Sequence, residues 1–224
     1  MTRKLFFVTA FSVLLAACQG QHEGVAYNVE VIKALQQHEA TLKQKRTELQ
    51  FDSGASAQTC EDYLRLSATE TLKEDVANQL VKSEYLVCDV LALVGKQKLG
   101  SGHPEGNFGQ ALAERVDLRT FPSSLHQMLD EKKFSLKQLG TNAVKTDATA
   151  ASYDTQDWHY RLEVVATLDA NNNGKADWVV WLADEAKDGN YRQYQTLVIF
   201  DVPETGQLRA TPYVYKIKKT VAEG

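Results

Sequence analysis

Apolar residues in the first two thirds of the chain recur every three or four positions, which is the spacing of amphipathic helices. The pattern predicts four main helices, over residues 25–50, 60–66, 68–94 and 125–139. The sequence Ser67-Ala68-Thr69-Glu70 has the form of a capping box before the third helix, and Gly140 suits the end of the fourth. We therefore predict that residues 25–140 form a helical region.

The last part of the chain alternates apolar and polar residues, as a strand with one buried face does. In residues 160–168, apolar residues occupy every second position from Tyr160 to Leu168, and the positions between them are Arg161, Glu163, Val165 and Thr167. Three further segments are rich in aromatic and β-branched residues, namely residues 178–182, 194–200 and 211–217. Residues 141–157 are small and polar, and we predict them to be a linker. The expected class is α+β, with an antiparallel β meander of about four strands in residues 158–224 packed against the helical region.

Residues 95–109 contain five glycines and one proline, which is typical of a surface loop. Glycine-rich loops also bind phosphate, but this segment lacks the lysine-serine or lysine-threonine ending of such loops and a preceding strand. His103 lies in it near Ser101 and Glu105, without a nucleophile motif that would complete a catalytic triad. We interpret the segment as a connection.

The N-terminus is basic at Arg3 and Lys4, then apolar from Leu5 to Leu15, and ends in the sequence Leu15-Ala16-Ala17-Cys18. The apolar run is too short to span a bilayer. The whole arrangement resembles the signal peptide and lipobox of bacterial lipoproteins. That resemblance implies removal of residues 1–17 and lipidation of Cys18, with palmitate among the acyl chains.

Residues 18–24 would then form a lipidated tether. Two or more acyl chains hold a protein stably on a membrane. Gln19 stands where an aspartate would, by the same resemblance, favour retention at the inner membrane. The expected location is the cell envelope, at the outer membrane facing the periplasm. Ordinary secretion or a short transmembrane anchor is the alternative.

The charge of the chain excludes one class of partner. Its formal net charge is −4, which becomes −6 once Arg3 and Lys4 are removed. No long basic run is present to attract a phosphate backbone, so we expect no nucleic-acid partner.

With Cys18 lipidated, Cys60 and Cys88 remain as one pair in an oxidising compartment. We predict a structural disulfide that pins a helical hairpin. Closing a loop of this length stabilises a protein by about 3 to 4 kcal/mol in the chain-entropy model. Two buried thiols or a reactive pair are the alternatives.

One short segment has the composition of a cation site. Oxygen donors alternate at Asp169, Asn171 and Asn173, Gly174 permits a sharp turn, and the Lys175 carbonyl and Asp177 complete the set. The segment resembles the calcium loops of strand-loop-strand proteins with the pattern DxDxDGxxD. That resemblance implies calcium, held weakly, with a dissociation constant on the order of 10⁻⁴ to 10⁻³ M. An Asn-Gly hairpin turn that caps its own backbone is the alternative.

These features predict a lipid-anchored binding or assembly module with an envelope protein or glycan as partner, and no catalytic residues. The aromatic residues of the β region supply either a core or an exposed binding face. The alternative function is a lipid-anchored hydrolase acting on envelope glycans or peptides. It would use carboxylates, or His103 and His159 brought together by the fold.

Overall fold

A computed structural model describes residues 24–215. Its α-helices are α1 (Val29–Gln36), α2 (His38–Lys43), α3 (Cys60–Ser67), α4 (Val76–Val81), α5 (Leu86–Val94), α6 (Phe108–Arg115) and α7 (Leu136–Leu139). Its strands are β1 (Gly24–Ala26), β2 (Leu49–Gln50), β3 (Ser56–Ala57), β4 (Leu99–Ser101), β5 (Val144–Thr146), β6 (Ala150–Asp154), β7 (Trp158–Leu168), β8 (Asp177–Ala186), β9 (Arg192–Ile199) and β10 (Thr211–Pro212). Four 3-10 helices join them, at Lys82–Tyr85, Leu118–Thr120, Ser124–Met128 and Thr141–Ala143. No helix among residues 24–215 is long and apolar enough to cross a membrane.

Eight of the strands form one sheet, and this confirms the α+β class. Its main path runs β10-β9-β8-β7-β1-β4, with β6 also beside β7 and β5 beside β6. All pairs are antiparallel except β1 with β4. The long hairpin of β7 and β8 pairs from Trp158 opposite Ala186 to Leu168 opposite Asp177.

The sheet draws on more of the chain than the predicted meander. The strands β7, β8 and β9 lie where alternation predicted them. However, β5 and β6 lie in residues 141–157, which we had predicted to be a linker, and β1 and β4 come from the predicted helical region. The strand predicted for residues 211–217 is described only as Thr211–Pro212.

The helix predicted over residues 25–50 is wrong in its extent. Residues 24–26 pair with β7 instead, and Asn28 then caps α1 by accepting the backbone N–H groups of Glu30 and Val31. The helical chain breaks at Gln37 and ends at Lys43. Beyond it the backbone is extended and enters β2, which pairs with β3.

Two other helix boundaries also differ from prediction. Ser67 ends α3 and caps no helix, whereas Asp75 caps α4 by accepting the N–H of Asn78 at 2.9 Å. The helix predicted over residues 125–139 is divided, because the Asp130 carboxylate accepts the N–H groups of Lys132 and Lys133 and forms a turn there. Its last part survives as α7, which Gly140 ends as predicted.

Both faces of the sheet are covered. Leu162, Val180 and Leu197 lie on the first face, and residues 107–143, here called the first cover, pack on them through α6 and the segments that follow. A bulge at Val165 lets β7 turn apolar side chains to the other face as well. There Val165 and Val179 contact α1 and α5 of the second cover, which we define as residues 27–94.

Within the second cover, a disulfide joins Cys60 at the start of α3 to Cys88 in α5, as predicted. Their Cα atoms are 5.2 Å apart, and both residues are fully buried. Tyr85 lies beside them in the same apolar cluster, and its hydroxyl donates to the carbonyls of Thr47 and Ala57.

The helix α6 lies directly against the hairpin of β5 and β6. A Cβ atom on Gly109 would stand 2.1 Å from the carbonyl oxygen of Ala150 and 2.2 Å from that of Asp147. These distances are far below van der Waals contact, so only glycine allows this approach. The contact fixes the first cover at one corner of the sheet.

Candidate functional site

The predicted cation loop joins β7 to β8. Both carboxylate oxygens of Asp169 accept backbone N–H groups, from Asn173 at 2.9 Å and from Gly174 at 2.8 Å. The side-chain oxygen of Asn173 accepts the N–H of Lys175 at 2.9 Å. Gly174 has a φ of 84° and Asn172 a φ of 61°, so both adopt the left-handed backbone that such a turn requires.

Asp177, at the first position of β8, is fully buried beneath this loop. Its carboxylate accepts the N–H of Ala170 at 2.8 Å and that of Asp201 at 2.7 Å. Burial raises the pKa of Asp177 above its ordinary value, although these two hydrogen bonds oppose the shift. The residue therefore ties the loop after β7 to the loop after β9.

Asp201 adds a third carboxylate that local sequence did not indicate. It accepts from the Asn173 amide at 2.6 Å, and the Lys175 ammonium lies 3.7 Å from its other oxygen. It follows Asp177 by more than twenty positions, so only the pairing of β8 with β9 brings the two together.

The internal hydrogen bonds of the loop fully account for a polar hairpin turn. Each accepting oxygen has a second lone pair, so the same oxygens can also coordinate a cation. Within residues 24–215, no three histidine, cysteine, aspartate or glutamate side chains are grouped as a metal site. The arrangement among the described residues is a hydrogen-bonded polar turn.

The structure does not bring His103 and His159 together. His103 follows β4 just after Gly102, whose N–H donates to Ala26, and Ala26 pairs with Ala166. His159 lies seven residues before Ala166 in β7, and at the rise of a strand this places it roughly 23 Å from Ala166. Its ring is 3.9 Å from the carboxylate of Asp154. The pair of His103 and His159 that the alternative hydrolase function would use is therefore not formed, because the two residues lie at different positions along the sheet.

A buried carboxylate that sequence reasoning missed lies at the far end of the same hairpin. Asp184 is fully buried on the first face, where it accepts from the Ser124 N–H at 2.7 Å and the Ser124 hydroxyl at 2.6 Å. It also accepts from the Trp158 indole at 2.6 Å. Burial, reinforced by Asp184, raises the pKa of Tyr191 to about 12.

In the sequence, Asp184 stands close to Glu185 and Asp188, a composition typical of a solvated acidic turn, but the structure buries it. It continues the alternation of Val180 and Leu182, and that period was the signal for its burial. Among the described residues it forms no ion pair. Its hydrogen bonds attach the first cover to β8, so its role is structural.

The second cover contains a separate buried polar cluster. The Tyr63 hydroxyl donates to Asp89 at 2.9 Å, and the Lys82 ammonium lies 3.8 Å from that carboxylate and also donates to Tyr63. Burial lowers the pKa of Lys82, while Asp89 opposes the shift. Burial and the Asp89 charge together raise the pKa of Tyr63.

Most of the aromatic side chains of the β region serve as packing groups. Trp178 is buried with its ring centre 4.8 Å from that of Phe108, and Tyr160 is fully buried. Trp158 packs on Tyr191 at 5.3 Å, and both rings are half-buried. The described aromatic residues thus do not form a continuous exposed face.

The chain matches no protein-family model, no curated protein and no solved structure. The lipobox at residues 15–18 lies outside the described residues.

Proposed function

We propose that this chain is a lipid-anchored binding or assembly module of the bacterial envelope, held at the outer membrane by Cys18 and facing the periplasm. The observation that carries the proposal is the order of the N-terminus: basic residues, a short apolar run, then Leu15-Ala16-Ala17-Cys18. The partner that we propose is an envelope protein or glycan.

One feature of the folded part supports this location, and the charge of the chain bears on the class of partner. The buried Cys60–Cys88 disulfide suits an oxidising compartment such as the periplasm. The net charge of −4 and the absence of a basic run in the sequence do not suit a nucleic-acid partner.

Labelling with radioactive palmitate tests the anchor. The full chain should incorporate the label and sediment with outer membranes, whereas Cys18→Ala should do neither, because the acylated sulfur is lost. Cys60→Ala is the matched control and should incorporate palmitate normally. Labelling that persists in Cys18→Ala would contradict the proposal.

We further propose that the loop of Asp169, Asn171, Asn173, Lys175 and Asp177 binds calcium weakly, with Asp201 alongside. The support is the position of Asp169, Asp177 and Asp201 along one hydrogen-bonded corner, where the Lys175 ammonium lies 3.7 Å from Asp201. A bound cation would offset the mutual repulsion of these carboxylates and hold the β7–β8 hairpin.

Thermal unfolding in increasing calcium tests this site. A hundredfold excess over the dissociation constant should stabilise the protein by about 2.7 kcal/mol. Asp169→Asn should abolish that increment, and Asp188→Asn, in the exposed turn after β8, should retain it. Melting curves that do not respond to several millimolar calcium would leave the loop as a polar turn.

A further inference from the structure

The outer edge of β4 is an unpaired end of the sheet. The path of the sheet ends at β4, and no other strand among residues 24–215 pairs with its outer side. Gly100 and Ser101 are exposed, and Leu99 is half-buried. An unpaired strand edge leaves backbone N–H and C=O groups that can pair with another strand.

The backbone direction identifies which groups are available. The Gly102 N–H donates to Ala26 in β1, and successive residues of a strand direct their N–H and C=O groups to opposite sides. Gly100 therefore also faces β1, which leaves Leu99 and Ser101 with N–H and C=O groups directed outward. This spacing fits the backbone of one extended polypeptide.

A small groove with mixed apolar and polar walls lies beside that edge. It has a volume of about 160 Å³ and runs between β4 and α1, with Ile32, Leu35 and Leu99 among its walls. Val29, one turn before Ile32 on α1, is 80% exposed and extends the apolar surface beyond the groove. An apolar side chain of a strand paired with β4 would enter this groove.

The lead into β4 carries positive charge. Lys96 and Lys98 are exposed and take part in none of the ion pairs of the described residues. A carboxylate at the adjacent end of a bound strand would pair with them.

We propose that β4 and α1 form a binding site for an extended, partly acidic segment of a partner protein, which adds a strand to the sheet and places one apolar side chain in the groove. This inference rests on the proposed binding role and gives the chemistry of the partner. It does not depend on the lipid anchor, so palmitate labelling and the experiment below fail independently.

Selection from a display library of random seven-residue peptides, with the full chain in mild detergent as target, tests the proposal. Selected peptides should alternate apolar and polar residues and carry aspartate or glutamate at one end. Hydrogen exchange at the amides of Leu99 and Ser101 should slow when such a peptide binds.

Ser101→Pro is the decisive variant. It removes one outward N–H without removing a bond to β1, and Gly100 already has the extended backbone that precedes proline. Selected peptides should bind it about tenfold more weakly than the parent, whereas Ser101→Ala should bind them normally. The melting curve of each variant verifies that it is folded.

A second pair of variants tests the groove without altering the backbone. Val29→Asp should weaken the same peptides several-fold, because it places a charge beside the entering apolar side chain. Val76→Asp is its matched control, since Val76 is also the exposed first residue of a capped helix, and it should have no effect.

Three results would overturn the proposal. One is a selection that yields no peptide sensitive to Ser101→Pro. Another is equal weakening by Val29→Asp and Val76→Asp. The third is slowed exchange at Leu99 and Ser101 without peptide in a sample that sediments as a dimer, since the occupant would then be a second copy of this chain.

Discussion

The two covers of the sheet are held by different chemistry. On the first face, buried Asp184 of β8 accepts three hydrogen bonds, two of them from Ser124 of the first cover. Within that cover, buried Asp117 accepts two from the Arg119 guanidinium at 2.8 Å each. In the second cover, the Cys60–Cys88 bond joins two helices. The first cover thus depends on buried carboxylates, whereas the second cover is held together by a covalent bond between its own helices, so acid and reductant should act on opposite faces of the sheet.

Loss of the disulfide should have the largest effect on stability. The double variant Cys60→Ala/Cys88→Ala should lower the free energy of unfolding by about 3 to 4 kcal/mol, because the unfolded chain regains the entropy of a closed loop. Urea unfolding measures the change. Reductant should destabilise the parent and leave the double variant unaffected, and hydrogen exchange should increase in the second cover first. An unchanged unfolding midpoint would contradict this role for the disulfide.

Asp184→Asn should come next, at about 2 kcal/mol, because the new amide group replaces one acceptor with a donor that faces other donors. Adding Trp158→Phe to it should cost less than Trp158→Phe costs in the parent, since the two residues share a hydrogen bond. Asp188→Asn, an exposed neighbour, should stay within about 0.5 kcal/mol. If the stability losses of the two single variants add up in the double variant, the Trp158 indole does not depend on Asp184 for its contribution to stability.

Acid should weaken the first cover through Asp117. The Arg119 guanidinium lowers the pKa of Asp117 in the folded protein, so its contribution is complete above the unfolded pKa of about 3.9 and is lost as pH falls through the folded value. Asp117→Asn should reduce the loss of stability below pH 4. The effect should be smaller than that of Asp184→Asn, because Arg119 is partly solvated. Equal slopes for parent and variant would contradict it.

The smallest expected change in stability comes from removing the hydroxyl groups of two buried tyrosines. The Tyr85 hydroxyl in the second cover donates to backbone carbonyls, whereas the Tyr160 hydroxyl on the first face has only the Ser123 hydroxyl beside it and makes no hydrogen bond of normal geometry among the described residues. Tyr85→Phe should cost about 1 kcal/mol, and Tyr160→Phe should cost nothing or stabilise the protein slightly. Equal losses in thermal unfolding would contradict the contrast.

The local sequence pattern predicted the strands in which buried and exposed side chains alternate along the strand itself. Residues 160–168 alternate except at Val165, where the strand bulges, and β7 lies there. By contrast, β1 and β4 are three residues each, and Val25 pairs with Thr167, far away in sequence. No local period reveals such a pairing, so the sheet extends into a region that was predicted to be helical.

The residues of the candidate sites also divide into those that local sequence indicates and those that only strand pairing brings together. The alternating oxygens from Asp169 to Asp177 are visible in ten residues of sequence. Asp201 and the open edge at Leu99 depend on which strands become neighbours, and that information resides in the tertiary packing. The disulfide was predictable because only two cysteines remained to pair.

The contact at Gly109 limits how this sequence can change over generations. Its neighbours in α6 can exchange one side chain for another of similar size, but a side chain at Gly109 would have to displace the backbone at Ala150. A distant descendant that kept this architecture would therefore keep a glycine at the second position of α6, the helix that packs against the β5–β6 hairpin. A glycine at this position should therefore still be present in related sequences after their overall sequence similarity has been lost.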